Sequence, residues 1–137
     1  MTDRVNNDVI NRDDVDDIVR RFYEVMLEDP IVGYIFTDVA QVDLQEHLPM
    51  IVDFWSDILF EQKKYSGNIF AKHLELNKKI PLTPGHFTRW LYLFNNAVDA
   101  KYEGVNANNM KQRAESVAKT ISAKLNQRQR ADMKLVL

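Results

Sequence analysis

The amino-acid sequence predicts an all-α protein of one domain. Apolar residues recur every three or four positions through most of the 137 residues, which is the spacing of one face of an α-helix. The alternation of apolar and polar residues that is typical of strands is almost absent. Neither an internal repeat nor a low-complexity segment occurs, so the helices are predicted to pack around one core.

The first helix is predicted to begin after Asp13 or Asp14, since either side chain could cap it. It ends near Glu28, because Pro30 cannot continue a helix. A short apolar segment over residues 31–36 follows. The apolar stripe of this first helix consists of Val15, Ile18, Val19, Phe22 and Met26.

Asp43 is predicted to cap a second helix that runs to about Phe60, before a polar loop over residues 61–68. The apolar face of this helix includes one histidine. Its members are Leu44, His47, Leu48, Ile51, Phe54, Trp55, Ile58 and Leu59.

A brief helix over residues 69–74 carries Phe70 and His73. Thr83 and Pro84 then form the start signal of a longer helix, an N-cap residue followed by proline at the first helical position. The apolar side of that helix holds Phe87, Trp90, Leu91, Phe94, Ala97 and Val98.

The last helix is predicted to follow Gly104, to begin within residues 106–109 and to reach Leu125. Beyond it the sequence becomes polar and then ends in a short apolar run. The predicted organisation is an N-terminal extension, a helical domain, and a C-terminal helix end or tail, with bounds 1–12, 13–125 and 126–137.

Composition and charge argue against several classes of function. The formal net charge of −2 and the pI near 5.9 do not suit a nucleic-acid partner, which requires a concentrated basic surface. The absence of cysteine excludes disulfides, iron–sulfur clusters and a thiol nucleophile. The acidic N-terminus does not resemble a signal peptide, and no apolar run approaches the roughly 18 residues of a membrane span. We therefore expect a cytoplasmic protein without a membrane partner.

Common enzyme signatures are also missing. The four glycines lie too far apart for a phosphate-binding loop, and no His-Glu-x-x-His pair or calcium loop occurs. The serines lack the glycine-flanked turn that presents a serine nucleophile. The sequence therefore assigns no catalytic residue.

The histidines are the chemically active candidates that are left. His47 and His73 lie on apolar stripes of different helices, where a buried imidazole must find partners for both ring nitrogens. Binding a metal through one nitrogen is one solution, but hydrogen-bonded core histidines are more frequent. The many aromatic residues nearby could line a slot for haem, or could be ordinary core. From the residues alone, a haem site and a haem-free helical interaction module both stay open.

Several short motifs occur in the order and spacing of a known family. They are Phe22-Tyr23-Glu24, Gly33-Tyr34-Ile35-Phe36, Glu46-His47, Phe54-Trp55, Lys72-His73-Leu74, Phe87-Thr88-Arg89-Trp90-Leu91 and Leu93-Phe94. In this order the chain resembles the group III truncated haemoglobins of the globin superfamily over roughly residues 14–125. The paired glycines usual in groups I and II are missing, which favours group III. The resemblance implies a truncated globin fold, a helical sandwich that encloses haem.

The resemblance also implies roles for individual residues. His73 would be the proximal ligand of the haem iron, and the motif order favours this over a core histidine. Tyr23 and Trp90 would donate hydrogen bonds to a small distal ligand. His47 would line the distal side and could serve as a sixth iron ligand.

Further residues would form the walls of the haem pocket. The full set of implied cofactor-binding residues is Phe36, His47, Ile51, Phe54, Phe70, His73, Phe87 and Trp90. His86 matches no family position and is interpreted as a loop histidine without a role. Lysines near the pocket in sequence could bind the haem propionates, and none is selected from Lys64, Lys72, Lys78 and Lys79.

By resemblance, the chain would bind haem b and, through it, dioxygen or another small ligand such as nitric oxide or carbon monoxide. Oxygen storage or transport, sensing, nitric oxide detoxification and peroxidase-like chemistry are the activities that this implies. Turnover would require an external electron donor. The alternative function is the haem-free helical interaction module.

Overall fold

The computed structural model describes residues 6–39, 43–61, 73, 76–77 and 82–136, with the backbone alone for residues 39 and 126–136. No β-strand occurs in these ranges, so the predicted all-α fold is confirmed. The elements, in chain order, are α1 (Arg12–Leu27), a π-helical turn (Ile35–Val39), α2 (Leu44–Phe60), α3 (Pro84–Asp99) and α4 (Val105–Val136). None of the helices in the described ranges has the length and apolar character needed to cross a membrane.

Helix α1 begins earlier than the sequence predicts. The Asn11 side chain caps it by accepting a hydrogen bond from the backbone N–H of Asp14 at 3.1 Å. The predicted caps were therefore wrong, because Asp13 and Asp14 both lie within the first helical turn, where negative charge suits the helix dipole. The predicted end near Glu28 is confirmed, since the helix stops at Leu27. All five stripe residues are buried.

The predicted starts of the next two long helices are confirmed. The Asp43 side chain accepts from the backbone N–H of Gln45 at 3.0 Å, and α2 ends at Phe60. Thr83 caps α3 through a capping box, a reciprocal pair of hydrogen bonds with His86. His86 is therefore the third residue of α3, and its interpretation as a loop histidine was wrong.

Helix α4 begins at Val105, directly after Gly104, and continues to Val136. The C-terminal residues thus extend the last helix well beyond Leu125. The predicted loop over residues 61–68 and the predicted brief helix lie almost entirely outside the described residues, apart from Glu61 and His73. His73 is helical.

Two apolar clusters form the interior of the described part of the chain. Helix α1 packs against α2 and α3, and α3 packs against α4. The larger cluster centres on the buried face of α1, while the smaller one contains Ile35, Leu82, Ile121 and Leu125. Phe36 packs against both clusters. The two clusters are therefore neighbours that share an aromatic side chain at their boundary.

The segment before α1 is joined to the start of α4. The Asp8 carboxylate accepts from the backbone N–H groups of Asn106 at 3.0 Å and Ala107 at 2.9 Å. The Asn106 amide donates to the Val9 carbonyl at 2.7 Å, and the Val9 side chain is fully buried. Asp8 thus satisfies backbone donors at the N-terminus of a helix about a hundred residues away in sequence.

We expect Asp8→Asn to lower the free energy of unfolding by about 1 kcal/mol at neutral pH, as for other lost helix caps. Partial burial alone would raise the pKa of Asp8, but the backbone N–H groups of Asn106, Ala107 and Val9 outweigh it and lower that pKa. The stabilisation is therefore complete above the ordinary value of 3.8 and is lost as the pH falls through the lowered folded-state pKa. Denaturant unfolding of the original protein and of Asp8→Asn, from neutral to acidic pH, measures this difference in the free energy of unfolding.

The matched control is Glu24→Gln, which changes an exposed carboxylate to an amide in the middle of α1. It should leave stability within about 0.5 kcal/mol of the original protein. The capping role would be contradicted if the two substitutions changed the free energy of unfolding equally. It would also be contradicted if the effect of Asp8→Asn were the same at the lowest pH as at neutral pH.

Two single substitutions of glycine by alanine should change the stability of the protein in opposite directions. A Cβ on Gly104 would lie 2.6 Å from the Asp8 Cγ, and its φ of +143° is unfavourable for any L side chain. Gly104→Ala should therefore destabilise the protein by about 1–3 kcal/mol. Gly85 lies in helix α3, where the nearest atom to an added Cβ is the Thr83 Oγ at 3.6 Å. Gly85→Ala should stabilise by up to about 1 kcal/mol, and thermal melts of both variants compare the two.

Candidate functional site

A cavity lies between the two apolar clusters. The empty space in it, including the mouth that opens to solvent, is about 1160 Å³. Most of the lining is aliphatic or aromatic: Val19, Phe22, Val32, Ile35, Phe36, Met50, Ile51, Phe54, Trp55, Leu76, Leu82, Phe87, Phe94, Val117, Ala118 and Ile121.

The other described lining residues are Tyr23, His47, His73, His86 and Trp90. The lining in the described ranges includes no lysine, arginine, aspartate or glutamate. The chemistry of the cavity therefore depends on imidazole, phenol and indole groups, which can be neutral donors. Within the same ranges no three His, Asp or Glu side chains come together as a metal cluster.

Tyr23 and His47 form a hydrogen-bonded pair. The Tyr23 hydroxyl lies 2.7 Å from the His47 Nε2, and the rings meet edge to face with centroids 5.5 Å apart. Tyr23 projects from α1 and is only 5% exposed, while His47 lies in the first turn of α2. Burial raises the pKa of Tyr23 well above its ordinary value of 10.0. The phenol is therefore neutral and keeps its proton at any physiological pH.

Trp90 lies on α3 at the same cavity. Its ring stacks on Phe94 with centroids 5.4 Å apart and an interplanar angle of 11°, and it meets Phe22 edge to face at 5.8 Å. The Trp55 ring also stacks on Phe94, with the ring centroids 5.0 Å apart. The indole N–H makes no hydrogen bond to the described part of the chain. Trp90 thus offers a fixed donor to whatever fills the cavity.

His73 lines the cavity from the segment between α2 and α3. It is half-buried, and its ring lies nearly parallel to that of Phe87, with centroids 6.3 Å apart and an angle of 29°. Phe87 is in the first turn of α3, three residues before Trp90. The first half of α3 therefore presents one aromatic ring against His73 and one indole donor to the same cavity.

An ion pair holds α3 against the turn after α1. The Arg89 Nε and Nη2 donate to one oxygen of Asp29 at 2.9 and 2.7 Å. The other oxygen accepts from the backbone N–H groups of Ile31 and Val32. The bond from Arg89 lowers the pKa of Asp29, so this buried carboxylate stays charged. Because Arg89 precedes Trp90, the pair fixes where α3 meets the cavity.

The structure brings the predicted site residues to one place. All of those it describes line the cavity: Tyr23, Phe36, His47, Ile51, Phe54, His73, Phe87 and Trp90. Phe70 and the four candidate lysines lie outside the described residues. The role of each residue stays a prediction, because a shared cavity does not show which side chain would bind the iron and which would bind a small ligand.

Sequence analysis missed one polar lining residue, His86, and several apolar ones. Val117, Ala118 and Ile121 come from α4, which the sequence motifs do not reach. The signal for His86 was present, since Thr followed by Pro and then His three residues after the cap matches a capping box with histidine in place of glutamate. Its position at the cavity depends on how α3 packs, which the sequence does not show.

The arrangement suits a large, flat, apolar ligand that contains a metal. Such a group would be excluded from water by the apolar walls and could be ligated by a single imidazole. His73, with its ring packed on Phe87, is one such imidazole. Tyr23, His47 and Trp90 together could bind a small polar ligand on the metal.

The chain is similar to a group III truncated haemoglobin in both sequence and fold. The chain is 29% identical over 114 residues to the group 3 truncated haemoglobin Ctb of Campylobacter jejuni, covering 81% of this chain and 87% of that protein. Its fold matches the crystal structure of a group III truncated haemoglobin from Campylobacter jejuni with a TM-score of 0.77 and 27% identity. That match covers 88% of this chain and 95% of the other. No family profile matches the chain.

Proposed function

We propose that this chain is a globin-type haem protein of the group III truncated haemoglobins, to which it is similar, and that it binds haem b through His73 and a small gas ligand beside Tyr23 and Trp90. The observation that carries this proposal is one apolar cavity that contains His73, the Tyr23–His47 pair and the indole of Trp90. A haem-free interaction module would not need imidazole, phenol and indole groups gathered in one apolar cavity.

The residues of the cavity fit a porphyrin. Phe36, Ile51, Phe54 and Phe87 supply apolar surface for the macrocycle. His73 would supply an imidazole nitrogen to hold the haem iron. When bound, haem would provide an iron with one coordination position for a diatomic ligand. Everything else that determines the chemistry comes from the side chains around that position.

Tyr23 has a single proton, and two arrangements of the pair use it differently. If the phenol donates to the His47 Nε2, it has no proton for another acceptor. If the Nε2 carries the proton and donates to the phenol oxygen, the hydroxyl is free to donate to a ligand. We propose that the second arrangement operates when a ligand is present, with Trp90 as the additional donor.

These donors favour ligands that carry partial negative charge on their outer atom, dioxygen above all, over carbon monoxide. Nitric oxide detoxification and peroxide chemistry are proposed as reactions of the same pocket, and both consume electrons from an external donor. A cytoplasmic location is part of the proposal, because a cysteine-free chain suits a reducing compartment. A sixth-ligand role for His47 would require loss of its bond to Tyr23, so we propose that His47 acts as a polar partner instead.

His73→Gly should abolish stoichiometric haem binding, because the axial nitrogen is removed. We expect the Soret absorption band of the protein reconstituted with haem b to be lost or strongly shifted in the variant. Free imidazole in millimolar amounts should restore a spectrum close to that of the original protein, which shows that the fold and cavity persist. Circular dichroism of the variant checks its helix content.

A colourless, folded wild-type protein after reconstitution would refute the haem proposal and support the interaction module. An unchanged spectrum in His73→Gly would instead leave haem binding intact and show that a different residue is the axial ligand.

Tyr23→Phe should increase the dissociation rate of dioxygen from the reduced protein. Loss of one hydrogen bond worth about 1–3 kcal/mol corresponds to an increase of roughly 5- to 150-fold. Stopped-flow displacement of dioxygen by carbon monoxide measures the rate. Tyr34→Phe is the matched control, because Tyr34 is 39% exposed and lies outside the cavity lining. Equal rates in the two variants would exclude Tyr23 as the ligand donor.

A further inference from the structure

His86 carries a hydrogen-bond donor whose position is fixed within the first turn of α3. Its Nδ1 accepts a hydrogen bond from the backbone N–H of Thr83 at 3.1 Å, and its own backbone N–H donates to the Thr83 Oγ at 3.3 Å. A ring nitrogen that accepts a hydrogen bond carries no proton. The proton of the neutral imidazole is therefore on Nε2, and the capping box determines both the tautomer and the ring orientation.

The Nε2–H of His86 has no acceptor in the described part of the chain, and the residue lines the cavity. Its neighbours Thr83, Pro84 and Gly85 are exposed, while His86 and Phe87 are half-buried. His86 thus lies where the cavity meets solvent, and Phe87, which packs on His73, lies beside it in sequence. A donor at such an edge suits a polar group on the periphery of a ligand whose body is buried.

The other polar groups of the described lining have different roles. Tyr23 and His47 bond to each other, His73 is the proposed iron ligand, and the Trp90 indole is the proposed donor to the small ligand. The described lining has no lysine or arginine. A porphyrin that bears two carboxylates must nevertheless place them at the rim, because burying an unpaired carboxylate is costly. His86 is the remaining donor among these residues.

We propose that the His86 Nε2–H binds a propionate carboxylate of the haem. This inference rests on the proposed haem function and extends it to a residue that the family motifs leave without a role. The capping box therefore has two effects, since it starts α3 and also orients a donor for the cofactor. Hydrogen bonds to a charged group are stronger than those between neutral groups, so the bond should slow the escape of haem.

Two substitutions separate the donor from the helix cap. His86→Glu keeps an acceptor for the Thr83 N–H, since glutamate is the usual residue at this position of a capping box, but it replaces the donor by a negative charge. His86→Gln also keeps that acceptor and still offers an amide N–H. Thermal melts of the haem-free proteins should show both variants within a few degrees of the original protein.

The test is the rate of haem loss to an excess of a high-affinity acceptor globin, followed by absorbance. With haem b, His86→Glu should lose haem about tenfold faster or more, and His86→Gln should stay within about threefold of the original protein. The same proteins reconstituted with haem dimethyl ester, in which both carboxylates are blocked, should differ from one another by less than twofold.

Equal rates of haem b loss in His86→Glu and the original protein would overturn the inference, as would a His86→Glu effect of the same size with the dimethyl ester. Either result leaves the haem function intact. Failure of the original protein to bind haem b at all is a different outcome, which refutes the proposed function and this inference with it.

Discussion

The packing of this protein depends on an apolar cavity between two hydrophobic clusters. Atoms that line the cavity lose the contacts that a filled core would give them, and this loss destabilises a small domain. A ligand that binds only the folded state offsets this loss by mass action. Folding and ligand binding would therefore be coupled in this protein, because a ligand in the cavity would contact both the cluster around Phe22 and the cluster around Ile121.

Most of the polar side chains in the lining are held in place by neighbours, so a ligand can be met by a shift of protons without movement of the rings. Tyr23 is bonded to His47 and enclosed by aromatic rings, and Trp90 is stacked on Phe94. The His86 ring is oriented by its bonds to Thr83. Donors that are already oriented stabilise developing or partial charge without a further entropic cost. The positions of these donors thus depend on their neighbours as well as on residue type.

Polar contacts at the periphery determine where the helices lie. The bond between Arg89 and Asp29 positions α3 against the turn after α1. Tyr102, which follows α3, donates to Asp17 on α1, and Arg21 on α1 donates to the Ala97 carbonyl of α3. Asp8 fixes the N-terminal segment to the start of α4. Each contact joins segments distant in sequence, and together they support the walls of the cavity from outside.

The sequence by itself determined the helical class, most helix limits and the resemblance to the group III truncated haemoglobins. Asp43 and Thr83 are correct caps because capping is a local interaction within four residues, and the buried stripe of α1 follows from helical periodicity. Only the tertiary structure showed that Tyr23 and His47 are bonded, that His86 lines the cavity and that Asp8 caps a helix some hundred residues away. Such contacts depend on how helices pack, and packing brings together residues whose spacing along the chain has no fixed period.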